Sequence, residues 1–261
     1  MPSVHAHGLE IAYEREGAGP LLLFVHGAAC DSRVWQPQLA GLAGDFTVVA
    51  WDEPGAGGSS DAPAAFKLAD YAACLAALIE HVDAGPAHLA GQSWGGTLAQ
   101  ELYRHRPELV ATLILAGSYA GWKGSLPEEE VRSRVALCEE MLAAAPGEFD
   151  PTLPGLFAGE PPAEFVPLLD EVAADVRAEC MGHALLLMAE TDQRDLLPRI
   201  SVPTLLLWGE SDARSPLRVA RQFKEAIPRS ELVVLPAAGH MSNLEQPELF
   251  NEAVRRFLQR R

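Results

Sequence analysis

Short apolar runs alternate with longer amphipathic stretches through most of the chain. The run Leu21–Val25 is wholly apolar, which is typical of a strand buried on both faces of a sheet, and residues 68–81 have the apolar spacing and length of a helix. Alternating strands and helices indicate βαβ crossovers and therefore a mostly parallel sheet. The pattern predicts an α/β fold.

The predicted sheet has eight strands. The first two flank a turn at Gly8 and are typical of a hairpin, so the sheet is expected to begin antiparallel. The eight predicted strands are residues 4–7, 10–13, 21–25, 47–51, 87–90, 113–116, 204–208 and 231–235. Helices are predicted at 32–42, 68–81, 94–105, 216–226 and 248–259, where they would cover the two faces of the sheet.

Strand patterning disappears between residues 119 and 200. Two helical patterns, 128–145 and 164–189, flank a linker at 146–162 that is rich in Pro and Gly. Such a stretch is too long for a plain loop. We predict that residues 1–118 and 201–261 form one α/β core and that 119–200 is a helical lid inserted in it.

Composition narrows the function classes. The chain has 261 residues, 36 of them acidic and 20 basic, and a formal net charge of −16. This charge repels phosphate backbones and anionic lipid surfaces, so neither nucleic acid nor membrane is an expected partner. Four scattered cysteines have no metal-ligand spacing, and the N-terminal residues lack an apolar signal core. We expect a cytoplasmic protein.

Residues 91–95 read Gly-Gln-Ser-Trp-Gly and match the pattern GxSxG. The motif lies directly after a predicted strand and directly before a predicted helix, which is the context that a nucleophile elbow requires. Glycines two residues on either side of Ser93 allow strand and helix to approach closely. Ser93 is therefore the candidate nucleophile; the alternative is an ordinary glycine-rich turn.

Two more polar residues follow predicted strands. Asp212 lies after the strand 204–208 and His240 after the strand 231–235, at the carboxyl ends where α/β sheets place their sites. The chain order Ser93, Asp212, His240 is the one that accompanies the nucleophile elbow. Glu210 is the nearest alternative to Asp212, but Asp212 has the better position relative to the strand.

Several further segments carry a family resemblance. They are 24–27 (FVHG), 51–59 (WDEPGAGGS), 202–209 (VPTLLLWG) and 239–247 (GHMSNLEQP). Together with the three candidate residues, they make the chain resemble the α/β-hydrolase superfamily over essentially its whole length, with the lid least matched. The resemblance implies an oxyanion hole formed by the backbone N–H groups of Ala28 and Trp94, and a structural role for His26 in bracing that loop.

The implied chemistry is nucleophilic catalysis on a small-molecule acyl substrate. His240 would take the proton of Ser93, Asp212 would orient the imidazole, and water would cleave the acyl-enzyme. This reaction needs no metal and no organic cofactor. The oligomeric state stays open.

The substrate has several candidates. A serine nucleophile argues against the related dehalogenases and epoxide hydrolases, whose nucleophile is Asp, and segment 239–251 is similar to enol-lactone hydrolases and small carboxylesterases. Ester or lactone hydrolysis is thus the first expectation. Carbon–carbon hydrolases of ring-fission products usually carry Trp where this chain has Met241, while proline iminopeptidases share a similar elbow. A further alternative, of a different functional class, is a ligand-responsive signalling hydrolase that keeps the same three residues.

The predicted lid offers five candidates for lining the substrate pocket. They are Trp122, Phe157, His183, Leu187 and Met188.

Overall fold

A computed structural model describes residues 1–143 and 154–260 and contains one eight-stranded sheet. The strands are β1 (Ser3–Ala6), β2 (Leu9–Glu16), β3 (Leu21–Val25), β4 (Thr47–Trp51), β5 (Ala87–Gln92), β6 (Val110–Ala116), β7 (Thr204–Gly209) and β8 (Ser230–Leu235). Their order across the sheet is β1-β2-β4-β3-β5-β6-β7-β8. The pairs β1·β2 and β2·β4 are antiparallel and all later pairs are parallel, which confirms the predicted mostly parallel sheet.

The central strands are buried on both faces because successive side chains point to opposite sides. In β3, Leu21, Leu23 and Val25 belong to one hydrophobic cluster, whereas Leu22 and Phe24 belong to the other. Helices α2 (Leu68–Val82), α3 (Trp94–His105) and α8 (Leu217–Ala226) cover the first face, and α1 (Gln36–Leu42) and α10 (Pro247–Leu258) cover the second. A fully apolar strand needs both layers.

The described chain between β6 and β7 is helical, as the sequence indicated. Its described part contains four helices, α4 (Trp122–Ser125), α5 (Glu128–Ala143), α6 (Val166–Ala174) and α7 (Ala178–Glu190), and a short α9 (Ser242–Glu245) precedes α10. The single helix expected at 164–189 is interrupted between α6 and α7, where Asp175 pairs with Arg33 and Arg177 pairs with Asp61. Residues 144–145 of the first predicted lid helix, and residues 146–153 of the linker, lie outside the described residues.

The two ends of this helical segment meet beside the sheet. The amide of Gln193 donates to the carbonyl of Ala120 at 2.9 Å, and Gln193 Nε2 bonds the carbonyl of Thr97 on α3. After Gln193 the chain runs along the core, where Asp195 pairs with Arg104. The helical insertion therefore begins and ends at neighbouring points, which the Ala120–Gln193 hydrogen bond joins.

Within the described residues, none of the helices has both the length and the apolar composition that a bilayer crossing requires.

Candidate active site

Ser93 occupies the sharp turn between β5 and α3. Its backbone angles are φ 53° and ψ −117°, a conformation that costs a non-glycine residue free energy and is held by the flanking strand and helix. A Cβ at Gly95 would lie 2.2 Å from the carbonyl oxygen of Val25, so this position requires glycine. The expected elbow geometry is present, and α3 begins directly after the hydroxyl-bearing residue.

His240 and Asp212 form a buried pair. His240 Nδ1 lies 2.9 Å from Asp212 Oδ2 and 3.1 Å from Oδ1, and the two side chains are 2% and 0% exposed. Because a carboxylate only accepts hydrogen bonds, Nδ1 carries the proton and Nε2 is left as the basic nitrogen. The loop after β7 fixes the acid in turn, since Asp212 Oδ1 accepts the amides of Arg214 and Ser215 at 2.9 and 2.7 Å.

The rival acid, Glu210, lies elsewhere. Its side chain is exposed, and its carboxylate accepts the amide of Ala237 at 3.4 Å. The structure therefore brings Asp212, and not Glu210, against His240.

Gly117, at the end of β6, leaves room for this pair. A Cβ on Gly117 would lie 2.9 Å from Asp212 Oδ2 and 3.0 Å from His240 Nδ1, and the residue has φ +48°. Any side chain there would push the acid and the base apart. Gly117 was not among the candidates from the sequence, although it directly follows a strand, as Ser93 does.

The loop after β3 contains Ala28, whose amide is one of the two candidate oxyanion donors. The imidazole of His26 is fully buried, with Nδ1 2.8 Å from the carbonyl of Gly27 and Nε2 accepting the amide of Glu53 at 3.1 Å. These two bonds brace the loop, as expected for His26. Within the described residues, neither the Ala28 nor the Trp94 amide donates a hydrogen bond, so both remain free for a substrate oxygen.

Two side chains outside the predicted set hold the histidine loop. Gln92 Nε2 donates to the carbonyl of His240 at 3.2 Å, which ties the elbow to that loop. Glu245 accepts the amide of Gly239 at 2.6 Å with one oxygen and the amide of Ala158 at 2.7 Å with the other. The acid of the 239–247 segment thus joins the histidine loop to the helical insertion.

A small cavity lies over the candidate nucleophile. Its volume is about 10 Å³, room for about one water molecule. The lining residues come from the elbow, the oxyanion loop, the histidine loop and the insertion: Gly27, Ala28, Cys30, Gln92, Ser93, Trp122, Leu156, Leu185, Met188, Arg214, His240 and Met241. Ser93 and His240 therefore line the same small cavity.

A larger apolar cavity adjoins it. This second cavity has a volume of about 220 Å³ and shares Ala28, Cys30, Leu156 and Met241 with the first. The rest of its wall comes from residues 29 and 157–173, among them Phe157, Val166, Leu169 and Val172. The two cavities together have the apolar wall and few polar groups that are typical of a small-molecule site.

The five predicted lid residues have different outcomes. Trp122 and Met188 line the small cavity and Phe157 lines the apolar one. His183 instead uses its Nε2 to bond the carbonyl of Phe66 at 2.7 Å, and Leu187 packs against the hydrophobic core.

Glu53 is a buried carboxyl beside the site. Its Oε2 accepts the indole N–H of Trp94 at 2.6 Å, and only 6% of the residue is exposed. Burial raises the pKa of Glu53 to about 7, and the charge of Asp52 adds to this effect. The side chain of the residue after the nucleophile is therefore anchored by an acid that changes charge near neutral pH.

The elbow, the Asp–His pair and the eight-stranded sheet agree with the result of a family comparison. The model described as the alpha/beta hydrolase family matches residues 22–253. The chain belongs to the α/β hydrolase family. It is thus a member of a family of hydrolytic enzymes, as its sequence resemblance implied.

Relatives of this α/β hydrolase share most of its length. A relative from Azorhizobium caulinodans, whose name assigns it carbamate hydrolysis (RutD), is 30% identical over 97% of this chain and 96% of its own. The 3-oxoadipate enol-lactonase 2 of Acinetobacter baylyi is 30% identical over 92% of this chain and 89% of its own. An esterase from Thermogutta terrifontis, solved with malate bound, superposes with a TM-score of 0.84 and 31% identity, covering 100% of this chain and 99% of its own.

Proposed function

We propose that this α/β hydrolase cleaves a carboxylic ester or lactone of a small molecule through an acyl-enzyme on Ser93. The observation that carries the proposal is the strained Ser93, which lines one small cavity with His240, whose imidazole is bonded to buried Asp212. The esterase and enol-lactonase relatives support ester or lactone as the acyl compound.

The geometry supports a two-step reaction. His240 Nε2 removes the proton of Ser93 as the hydroxyl oxygen attacks the acyl carbon, and the imidazolium is stabilised by Asp212. The amides of Ala28 and Trp94 donate to the oxyanion, aided by the positive N-terminal end of α3. The leaving alcohol takes the proton from His240, and a water molecule activated by the same nitrogen then releases the acid.

The pocket restricts the substrate to a small molecule. Insertion side chains such as Leu156, Leu185 and Met188 leave a volume of only about 10 Å³ over Ser93. The adjoining apolar cavity has the larger volume, about 220 Å³. We propose that the helical insertion acts as a lid and that a substrate joins the two cavities by displacing Leu156. An apolar part of the substrate would then fill the larger one.

The first experiment tests the nucleophile. Ser93→Ala is expected to lower kcat on a short-chain 4-nitrophenyl ester by about 10⁴-fold or more, with an unchanged thermal midpoint. Ser211→Ala, at an exposed serine next to the proposed acid, is the matched control and should keep full activity. A fluorophosphonate should label the peptide that contains Ser93 and no other. Full turnover by Ser93→Ala would refute the assignment.

The second experiment tests the acyl class. The purified protein is assayed on esters of increasing chain length, lactones, a carbamate, a ring-fission dienoate and a proline arylamide. We expect the highest kcat/KM on an ester or lactone. Preference for the dienoate would replace the proposal with carbon–carbon hydrolysis, and preference for the arylamide would replace it with peptidase activity. A single turnover on every substrate would indicate a signalling role instead.

A further inference from the structure

The cavity over Ser93 contains one charged side chain besides the catalytic histidine. Among its described lining residues, all others are apolar or neutral, and the exception is Arg214. This arginine follows proposed acid Asp212 by two residues, so the loop that places the acid also places a guanidinium in the catalytic space. The acid itself is occupied by His240 and by backbone amides.

The Arg214 guanidinium is poorly satisfied. In the described part of the chain, it makes one hydrogen bond, from Nη1 to the carbonyl of Pro154 at 3.2 Å, and forms no ion pair. Its neighbour Arg134 differs, because Arg134 is paired with Glu130 at 2.8 Å and lies over the ring of Trp122. A guanidinium has five N–H donors in a planar fork, so most of those on Arg214 have no protein acceptor among the described residues.

The surroundings of Arg214 favour an anion. The pKa of its guanidinium is lowered by burial and by the charge of Arg134, yet arginine remains protonated in proteins. The carboxylate of Asp212 acts on this guanidinium but is paired with His240. A partly desolvated cation that has no ion pair in the described part of the chain is costly unless a ligand supplies the opposite charge. The chain as a whole carries a net charge of −16, so the positive charge of Arg214 in this cavity is opposite in sign to the net charge of the protein.

We propose that Arg214 binds a carboxylate of the substrate, so that the compound cleaved is the ester or lactone of a small acid that carries a second carboxyl group. This inference rests on the proposed function, because it names the substrate class of the same site. The planar fork of the guanidinium matches a carboxylate in a two-bonded arrangement. The adjoining apolar cavity lacks Arg214 and has Asp170 in its wall, so the charged end of the substrate stays in the catalytic cavity.

A pair of matched substrates tests the proposal. The 4-nitrophenyl monoester of glutaric acid carries a free carboxylate, and 4-nitrophenyl valerate has a methyl group in its place. The measured quantity is the ratio of kcat/KM for the anionic ester to that for the neutral ester. Arg214→Gln should lower this ratio about tenfold or more, since it removes charge-assisted hydrogen bonds to the carboxylate. Arg214→Lys should restore part of it.

The control is Arg229→Gln. Arg229 is exposed, and in the described part of the chain its side chain also makes one hydrogen bond to a backbone carbonyl, that of Ser201 at 3.0 Å. It lies just before β8, at the amino ends of the parallel strands, whereas the catalytic loops follow the carboxyl ends. This variant should leave the ratio unchanged. A general effect of lost positive charge on anionic substrates would lower the ratio in both variants and would overturn the assignment to Arg214.

Binding of glutarate, measured by calorimetry, gives a second readout that does not depend on turnover. We expect glutarate to bind the native protein and Ser93→Ala alike, and to bind Arg214→Gln about tenfold or more weakly. An unchanged ester ratio together with unchanged glutarate binding would refute the carboxylate site while leaving Ser93 catalysis intact. Ester hydrolysis that survives in Ser93→Ala would refute the proposed function, and the glutarate measurement would still decide the role of Arg214.

Discussion

The buried carboxyl of Glu53 makes the stability of the fold depend on pH. In the folded protein, burial raises its pKa from the ordinary value of 4.5 to about 7. The folded state therefore keeps this proton to a higher pH than the unfolded chain. It follows that the free energy of unfolding falls as the pH rises from about 4.5 to about 7, and that this contribution is level outside that window.

Glu53→Gln removes the ionisation and keeps an oxygen that can accept the indole N–H of Trp94. The gap between 4.5 and about 7 is worth roughly 3 kcal/mol, since each pH unit of pKa difference corresponds to about 1.4 kcal/mol. The variant should thus be more stable than the native protein by less than about 1 kcal/mol at pH 5 and by about 3 kcal/mol at pH 8. That gain is a large fraction of the stability of an ordinary domain.

Urea unfolding of both proteins at pH 5, 6, 7 and 8 measures the effect. Glu252→Gln, at an exposed glutamate on α10, is the control for removing one negative charge from a chain of net charge −16, and its gain should be small at every pH. A gain for Glu53→Gln that is the same at pH 5 and pH 8 would contradict the reasoning, because the carboxyl would then have the same pKa in the folded protein as in the unfolded chain.

Two more substitutions test the Asp–His pair. Asp212→Asn should lower kcat on the order of 10³-fold or more by favouring the wrong tautomer of His240, whereas Glu210→Gln should leave it unchanged; equal effects in steady-state assays would count against Asp212. Gly117→Ala should abolish most of the activity because its methyl group would strike the pair. Gly85→Ala is its control, since Gly85 also has positive φ but open space around it. Gly85→Ala should lose about 1–2 kcal/mol of stability in urea unfolding and keep its activity, whereas Gly117→Ala should lose at least as much stability and most of its activity.

The fold could be predicted because most predicted strands are apolar runs that are followed by Gly, Pro or polar turn residues. The all-apolar run of β3, for example, is typical of a strand covered on both faces, and its five residues are too few for an ordinary helix. The break between α6 and α7 could not be predicted, since residues 174–177 contain neither Gly nor Pro. That break coincides with the ion pairs of Asp175 and Arg177 with residues that are more than a hundred positions away in the sequence.

The candidate site divides in the same way. Ser93, Asp212 and His240 follow strands in a recognisable order, so position along the chain was enough to propose them. Glu53 and Arg214 were missed because their significance depends on burial and on missing partners, which no local pattern displays. The arginine does carry one local signal, its position two residues after the acid on the same loop.

The closure of the insertion at Ala120 and Gln193 has a consequence for how such enzymes diversify. A segment that leaves and rejoins a scaffold at neighbouring points can be exchanged as one cassette, because its replacement need not move the strands on either side. Residues 121–192 supply Trp122, Leu156 and Met188 to the pocket wall, while turns and loops after the strands supply the candidate catalytic residues. Recombination at these two points would therefore change the wall of the substrate pocket and keep the candidate catalytic residues. Glu245 lies outside the exchanged segment and accepts the amide of Ala158, so a replacement segment would have to preserve this contact.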